Sequence, residues 1–315
     1  MDGDTLFPVF SAAKAVAATI VHRRVERGLV DYETPVAEVW PEFAAQGKHE
    51  ITVRHALSHM AGLQHMPMGI GYRDVCSWGT MCEAMANARP VSRQGAQQAY
   101  HAITFSWVVG EIACRVGGHP FGQLLLEEIC RPLGMTDLFT GIPDAVAPRV
   151  AVLEEIFEPG KEPQVDDTKP QSIPGWIQPL HIMMNRADAR RACIPASNGI
   201  MSARALARHY AALLPGGVDG VELLPPSRVQ QATQIHKPSE YSPEGDWMRM
   251  SLGYFVGGEG SDMGPRNSAF GHGGSGGSVG FADPEIRLGV ALTKNLFSAK
   301  GAGGRVLAEL RAAVP

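Results

Sequence analysis

The sequence predicts an α+β fold in which a mainly helical lobe precedes an antiparallel sheet flanked by helices. Three observations support this prediction: an alanine-rich amphipathic segment at the start, further helical patterns up to about residue 134, and several strand-like segments followed by a helix in the last third. With 315 residues, of which 44% are hydrophobic, the chain can build one large core. We expect a single domain over 1–315, with a helical lobe at about 12–200 and a sheet-forming lobe at about 201–315.

The first predicted helix follows Pro8 and carries Ser11 and Lys14. Its alanines favour helix formation, and Val16 and Ile20 belong to an apolar stripe. Residues three apart on a helix share a face, so the Ser11 hydroxyl and the Lys14 amine should lie side by side. A serine hydroxyl is a poor nucleophile until a neighbour takes its proton, which a lysine in a low-dielectric pocket can do. Taken alone, the S-x-x-K pattern is equally consistent with a capped surface helix.

Further helices are predicted in the first two thirds of the chain. Gly28 ends the first helix, and the next has Thr52 as its N-cap and Gly62 as its end. Hydrophobic periodicity then predicts helices at 81–88, 102–116, 121–129 and 203–214.

The remaining segments are predicted as loops and strands. Eight prolines between 140 and 196 predict long loops over the surface or over a site. Strands are predicted at 251–256, 268–272 and 288–293, with a glycine- and serine-rich run after the second strand. A helix at about 303–312 closes the chain.

Charge and hydropathy exclude several classes of partner. A net charge of −4 and a pI near 6.3 give no reason to expect binding to nucleic acid or to an anionic membrane. No apolar run approaches the roughly 20 residues of a membrane span. The start, Met1-Asp2-Gly3-Asp4, is acidic and unlike a secretory signal, so we expect a cytoplasmic protein.

The cysteines and histidines do not predict a metal site. The five cysteines lack C-x-x-C spacing and are expected to be reduced thiols, mainly buried. His55 and His59 are four apart, as in zinc-binding helices, but Ala56 stands where H-E-x-x-H has its glutamate. We therefore expect hydrogen-bonding histidines rather than ligands, and we predict no metal and no cofactor.

Three features together point to acyl-transfer chemistry. The first is Ser11 with Lys14, the second is Tyr100 at the entrance of a predicted buried helix, and the third is His272-Gly273-Gly274-Ser275 on a predicted strand. The glycine run after His272 resembles a phosphate-binding loop, but it lacks the Lys-Ser/Thr ending and the G-x-G-x-x-G spacing before a helix. Nucleotide binding is therefore discounted.

In this order along the chain, the segments resemble those of serine β-lactamase-like, penicillin-recognising hydrolases. The likeness is greatest to family VIII carboxylesterases and class C β-lactamase-like proteins. It covers nearly the whole chain and includes the nucleophile segment 6–14, TVRHALSHMAGL at 52–63, RPLGM at 131–135, ASNGIMSAR at 196–204 and FADP at 281–284.

The resemblance implies a role for each matching residue. Ser11 would be the acylated nucleophile, and Lys14 would accept its proton or hold the neighbouring base. Tyr100 matches the tyrosine of the Y-x-N motif and would pass the proton to the leaving group and later activate water. The backbone N–H groups of Ser11 and Ser275 would form the oxyanion hole. His272 matches the first position of the K-T-G motif.

Two departures from the family pattern favour esters as substrates. Ala102 replaces the asparagine of Y-x-N, and His272-Gly273-Gly274 replaces K-T-G, so the ammonium that pairs with a penicillin carboxylate is missing. We expect these four residues to contact the substrate and to discriminate less in favour of charged β-lactams. The preferred interpretation is a hydrolase of short-chain carboxylic esters. The alternatives are a β-lactamase, a D-amino-acid peptidase or acyltransferase, and a non-catalytic penicillin-binding-like module.

Members of this family usually carry several dozen residues before the nucleophile helix, whereas Ser11 comes almost at once here. We therefore expect the usual N-terminal strands to be missing from the sheet. An uncovered sheet edge favours self-association, so a second copy of the chain is one candidate partner, in a homodimer. The other expected ligand is a small ester or β-lactam substrate.

Overall fold

A computed structural model describes residues 1–155, 168–241 and 248–297, together with residues 306, 309, 310 and 313. The predicted closing helix lies mostly outside the described residues, although residues 306, 309 and 310 are helical. Helices pack beside small antiparallel sheets, which confirms the α+β prediction.

Helix α1 (Ala13–Glu26) is buried on almost every side, unlike a surface helix. Its small side chains allow other segments to approach closely. A Cβ on Gly199 would lie 2.4 Å from the Ala13 Cβ, and one on Gly253 would lie 2.3 Å from the Ala18 Cβ. The helix ends before Gly28, whose φ of 69° is left-handed, as the sequence predicted.

A buried carboxylate fixes the far end of α1. Glu128 receives the guanidinium groups of Arg23 at 2.8 Å, Arg24 at 3.0 Å and Arg27 at 2.7 Å. Burial alone would raise the pKa of Glu128, but the three arginines outweigh it and hold that pKa below its ordinary value. Glu128 lies in a π-helical turn, Leu126–Cys130, so the predicted helix 121–129 is α-helical only at Phe121–Leu125 (α7).

The other helices differ from the prediction mainly in their bounds. Thr52 caps α3 as predicted, but the helix ends at Leu57 rather than near Gly62. The helix predicted from 102 begins at Phe105, so 102–104 is free to turn towards α1. The remaining helices are α2 (Val36–Val39), α3 (Val53–Leu57), α4 (Tyr72–Val75), α5 (Trp78–Asn87), α6 (Phe105–Gly117), α8 (Leu180–Asn185), α9 (Ala187–Arg191), α10 (Ala203–Ala211) and α11 (Pro226–Ala232).

The strands of the described residues form three sheets. One is β1-β4-β2 and is antiparallel (β1 Phe7–Pro8, β4 Gly199–Met201, β2 Leu138–Thr140). A two-stranded parallel pair joins β3 (Glu154–Glu155) to β9 (Leu296–Phe297). The third sheet is antiparallel in the order β5-β6-β7-β8 (Phe255–Val256, Phe270–Gly273, Val279–Asp283, Leu288–Leu292).

The strand predictions need correction in two respects. The strand predicted at 251–256 is reduced to β5, because Gly253 adopts a φ of 87° and turns the chain. The sequence did not predict β7, which follows a glycine-rich run and ends just before Pro284, nor the short strands β1 to β4 and β9. The region 140–196 is also less irregular than expected, because its described part includes α8 and α9.

Helix α10 covers one face of the four-stranded sheet at two glycines. A Cβ on Gly280 would lie 2.5 Å from the Tyr210 ring, and one on Gly289 would lie 2.7 Å from the Ala211 backbone nitrogen. Tyr210 is fully buried at this contact. Among the described residues, no helix is both long and apolar enough to cross a bilayer.

The contact between Gly253 and α1 can be tested with Gly253→Ala. The left-handed φ costs an alanine roughly 1–2 kcal/mol, and forcing a methyl group against Ala18 adds about 1–3 kcal/mol. Gly28→Ala is the matched control, because its φ is also left-handed but nothing lies within 4 Å of its Cβ position. Urea denaturation should show the larger loss of stability for Gly253→Ala, and equal losses would contradict the packing argument.

Candidate active site

Ser11 lies in a 3-10 turn, Phe10–Ala12, between β1 and α1. Phe10 has a φ of 50°, a conformation that L residues rarely adopt. Its ring packs edge-on against Phe297 with centroids 5.1 Å apart, and this contact helps to hold the strained turn. The turn directs the chain into α1 immediately after Ser11.

Lys14 is fully buried one turn after Ser11. Its Nζ lies 2.9 Å from Ser11 Oγ, 2.7 Å from the Ala102 carbonyl oxygen and 3.0 Å from the Ala196 carbonyl oxygen. These three partners carry no charge, and burial holds the pKa of Lys14 well below its ordinary value. The arrangement favours a neutral amine in contact with the serine.

Tyr100 completes a triad with Ser11 and Lys14. Burial raises the pKa of Tyr100, and a hydrogen bond with the Ser11 side chain acts in the opposite direction. The Tyr100 ring centroid is 4.9 Å from Lys14 Nζ. The phenol therefore keeps its proton at neutral pH and lies beside both the hydroxyl and the amine.

The second carbonyl that binds Lys14 belongs to the loop 194–198. The Ala196 N–H donates to Ser106 Oγ at 2.9 Å. Asn198 is fully buried; its Oδ1 accepts from the Ile194 N–H at 2.9 Å, and its Nδ2 donates to the carbonyls of Ala189 and Ala192. These bonds fix the loop, and with it the acceptor that faces Lys14.

The end of β6 lies directly against the Ser11 turn. A Cβ on Gly274 would lie 2.0 Å from the Val9 carbonyl oxygen and 3.2 Å from the Ala12 backbone nitrogen, so only glycine fits. This close approach brings Ser275 to the same cavities as Ser11.

His272 is fully buried beneath this strand end, so it belongs to the wall rather than to the exposed surface of the site. A carbonyl can only accept, so His272 Nδ1–H donates to the Gly273 carbonyl at 2.6 Å. Burial is the main cause that lowers the pKa of His272 to about 3, and the charged form of Lys14 is a smaller cause in the same direction. The ring is therefore neutral and does not replace the missing ammonium.

Two cavities meet at Ser11, Tyr100 and Ser275. The smaller one, about 110 Å³, is lined mainly by apolar side chains, among them Val75, Ile103, Ile173, Ile177, Leu180 and Met184. Ala102 lines it as well. The larger one, about 840 Å³, is open and is lined by residues that include Met248, Phe255, the cations Arg249 and Lys294, and the carboxylates Glu259 and Asp262.

The structure thus brings together all the residues that the sequence singled out. Ser11, Lys14, Tyr100, Ser275 and the segment 272–274 line or support one site. Ala102 contributes its carbonyl oxygen to Lys14 in addition to its side chain.

Sequence reasoning missed three contributions: the Ala196 carbonyl, the Lys294 amine and the ring of His59, which stacks on Tyr100. The segments around Ala196 and His59 carry family-like motifs, but a carbonyl contact and a ring contact leave no signature of their own.

His55 and His59 each accept a hydrogen bond from a backbone N–H group. His55 Nδ1 accepts from the Thr52 N–H at 3.1 Å and closes a capping box, while His59 Nδ1 accepts from the His101 N–H at 2.9 Å. The described residues contain no group of three or more histidine, cysteine or acidic side chains that could hold a metal ion. The five cysteines are free, and Cys82 and Cys130 are buried.

Several solved structures are similar to this chain. A penicillin-binding protein homologue from Caulobacter crescentus superimposes with a TM-score of 0.81 at 35% identity, covering 94% of this chain and 79% of that one. A family VIII carboxylesterase gives a TM-score of 0.87 at 32% identity, covering 99% of this chain and 84% of the other.

Two curated proteins show the range of the sequence likeness. The esterase/beta-lactamase LipL of Mycobacterium tuberculosis is 36% identical over 298 residues, which is 91% of this chain and 68% of LipL. The D-alanyl-D-alanine-carboxypeptidase/endopeptidase AmpH of Escherichia coli K12 is 27% identical over 149 residues, covering 45% of this chain and 38% of AmpH.

The family model for β-lactamases matches residues 1–313, almost the whole chain. This match and the 36% identity to LipL agree with the resemblance carried by the S-x-x-K motif, Tyr100 and the segment 272–275. The chain belongs to the β-lactamase family of serine hydrolases.

Proposed function

We propose that the chain hydrolyses short-chain carboxylic esters through an acyl-enzyme on Ser11. The observation that carries this proposal is the contact, at the mouth of a small apolar cavity, between Ser11 Oγ and a buried Lys14 whose pKa is held well below its ordinary value. Similarity to a family VIII carboxylesterase and to the esterase/beta-lactamase LipL supports the same choice.

The hydrogen bonds of Lys14 support one direction of proton transfer. A neutral amine has two N–H donors and one lone pair. The carbonyls of Ala102 and Ala196 can only accept, so they take both N–H groups of a neutral Lys14. In this neutral form the lone pair faces Ser11 Oγ, 2.9 Å away, and accepts the serine hydroxyl proton. This arrangement supports Lys14 as the general base for acylation.

The catalytic cycle follows from this arrangement. Lys14 removes the hydroxyl proton as Ser11 Oγ attacks the ester carbonyl, and the backbone N–H groups of Ser11 and Ser275 stabilise the oxyanion. The intermediate collapses as the Tyr100 phenol protonates the departing alkoxide, and the Lys14 ammonium restores the phenol's proton. In deacylation a water loses its proton to the same pair, attacks the acyl carbon and releases the acid, while Ser11 regains its hydroxyl proton.

In this proposal each of the two cavities binds one part of the ester. We place the acyl chain in the 110 Å³ apolar cavity, where burial of each methylene contributes about 0.8 kcal/mol until the space is full. The alcohol part then occupies the open 840 Å³ cavity, from which it can leave after acylation. A small closed acyl site explains a preference for short chains.

A second candidate is hydrolysis of a β-lactam or another substrate that carries a carboxylate. The observation that favours it is Lys294, whose amine lies on the wall of the larger cavity, 3.2 Å from the Cβ position of Gly277. This cation stands outside the K-T-G position, and it could pair with a carboxylate at some distance from Ser11. Intact-protein mass spectrometry after incubation with penicillin decides between the candidates, since a stable or transient acyl adduct on Ser11 would favour the second.

Ser11→Ala should reduce the hydrolysis of p-nitrophenyl butyrate by at least about 10³-fold, because the nucleophile is lost. Ser275→Ala is the matched control: it removes a hydroxyl at the same site but keeps the backbone N–H, so its rate should stay close to wild type. Unchanged hydrolysis by the Ser11→Ala protein would contradict the acyl-enzyme.

The pH dependence of kcat/KM should reflect Lys14 and Tyr100. Burial holds the pKa of Lys14 well below its ordinary value, so the amine stays neutral to a lower pH than an exposed lysine, and activity should fall only as the pH drops through that lowered value. The pKa of Tyr100 is raised, so the alkaline loss should lie above the ordinary tyrosine range and should disappear in Tyr100→Phe. An acidic limb near the ordinary lysine pKa, with little activity at pH 7, would contradict Lys14 as the base.

Enlarging the apolar cavity should change the acyl preference. Ile177→Ala removes bulk from its wall, so the ratio of kcat/KM for the hexanoate over the butyrate p-nitrophenyl ester should rise about 10-fold. Met248→Ala is the control, because Met248 lines the larger cavity and should leave the acyl preference unchanged. A change of acyl preference in Met248→Ala alone would reverse the assignment of the two cavities.

A further inference from the structure

We propose that His59 is the positioning residue for Tyr100, holding the segment that carries the phenol from both sides. The proposal rests on the role of Tyr100 in the proposed function. It assigns to His59 no contact with the substrate and no proton transfer.

His59 binds the backbone on either side of Tyr100. Its carbonyl oxygen accepts from the Ala99 N–H at 3.0 Å, and its ring Nδ1 accepts from the His101 N–H at 2.9 Å. The two donors are the residues immediately before and after Tyr100. One residue thus fixes the position and the direction of the short segment from which the phenol extends.

The ring of His59 also supports the Tyr100 ring directly. The two centroids are 4.8 Å apart with an interplanar angle of 30°, and the His59 ring also stacks on Phe105 at 4.9 Å and 24°. Phe105 begins α6, so the Tyr100 ring is supported by a helix through the His59 ring. Buried aromatic contacts of this kind contribute specific orientation as well as apolar area.

The charge state of His59 suits this role. The His101 N–H can only donate, so Nδ1 is an acceptor and the proton of the neutral ring is on Nε2. Burial holds the pKa of His59 well below its ordinary value, and the nearby His101, Lys14 and His272 lower it further. A neutral ring adds no positive charge beside Lys14 and leaves the base uncharged.

A second pair of hydrogen bonds extends the same support. The Leu63 N–H donates to His101 Nε2 at 3.0 Å, and the Thr104 hydroxyl donates to the Leu63 carbonyl at 2.8 Å. Segment 59–63 therefore holds segment 99–104, which also supplies the Ala102 carbonyl to Lys14. His59 itself has a φ of 61°, a left-handed conformation that histidine and asparagine adopt more readily than most residues.

Two substitutions of His59 test its role as a hydrogen-bond acceptor separately from the role of its aromatic ring. His59→Phe keeps an aromatic ring but removes the acceptor for the His101 N–H. His59→Asn removes the ring, but its side-chain oxygen can take the place of Nδ1, and asparagine tolerates the left-handed backbone. Each is made in the wild-type chain and in Tyr100→Phe, and active sites are counted by titration with a serine-reactive phosphonate. Each kcat is then calculated per titrated active site, so unfolded protein does not affect it.

The comparison uses two butyrate esters. A p-nitrophenolate leaves without help from an acid, so rates stay measurable in every variant, whereas ethoxide needs the proton of Tyr100. We expect His59→Phe to lower kcat for ethyl butyrate by about 10²-fold and kcat for the p-nitrophenyl ester by less. In the Tyr100→Phe background the same substitution should have no further effect on kcat, and His59→Asn should retain more activity than His59→Phe.

The outcomes separate this proposal from the proposed function. If His59→Phe lowered kcat by the same factor in the wild-type and Tyr100→Phe chains, or by the same factor for both esters, the positioning role would be overturned. Tyr100 would remain the acid. An asparagine variant as impaired as the phenylalanine variant would show that the acceptor is not what matters. A Tyr100→Phe chain as active as wild type on ethyl butyrate would overturn the role of Tyr100 itself, and with it this proposal.

Discussion

The structure depends on the burial of one amine. Among the described residues Lys14 has no charged hydrogen-bond partner, and it has no accessible surface, so its carrying a proton would cost several kcal/mol. Its three hydrogen-bond partners come from three separate parts of the chain: the Ser11 turn, the segment before α6 and the loop before β4. The amine therefore joins these parts, and the same desolvation that favours its uncharged form also makes their positions interdependent.

The packing around α1 buries this amine completely. A helix buried on almost every side needs small residues where other segments cross it, and the alanines of α1 opposite Gly199 and Gly253 meet this need. The close approach of Gly274 to the Ser11 turn serves the same purpose on the sheet side. Shape rather than charge thus determines which groups surround the serine, because each of these glycine contacts leaves no room for a side chain.

The sequence was most informative where a residue type is itself the signal. Motif spacing pointed to Ser11 and Lys14, the family resemblance pointed to Tyr100, and helix-capping chemistry pointed to Gly28 and Thr52. Tertiary context decided the rest. Strand β7 lies in a glycine-rich region whose local preference is for loops, and the early start predicted for α6 was wrong because 102–104 turns to reach Lys14. Neither effect can be read from periodicity, since both depend on segments far away in the chain.

Around Ser11 the titratable groups share one property, which is that burial favours their uncharged forms. The pKa of Lys14 and those of the surrounding histidines are lowered, and the pKa of Tyr100 is raised. Such surroundings favour an uncharged reacting group over a charged one, because a buried charge would lack a counter-ion. The open cavity, by contrast, is lined by the cations Lys294 and Arg249 and by the carboxylates Glu259 and Asp262. Under the proposed function, these charged groups surround the alcohol part of the substrate, while the reacting carbonyl lies beside buried groups whose uncharged forms are favoured.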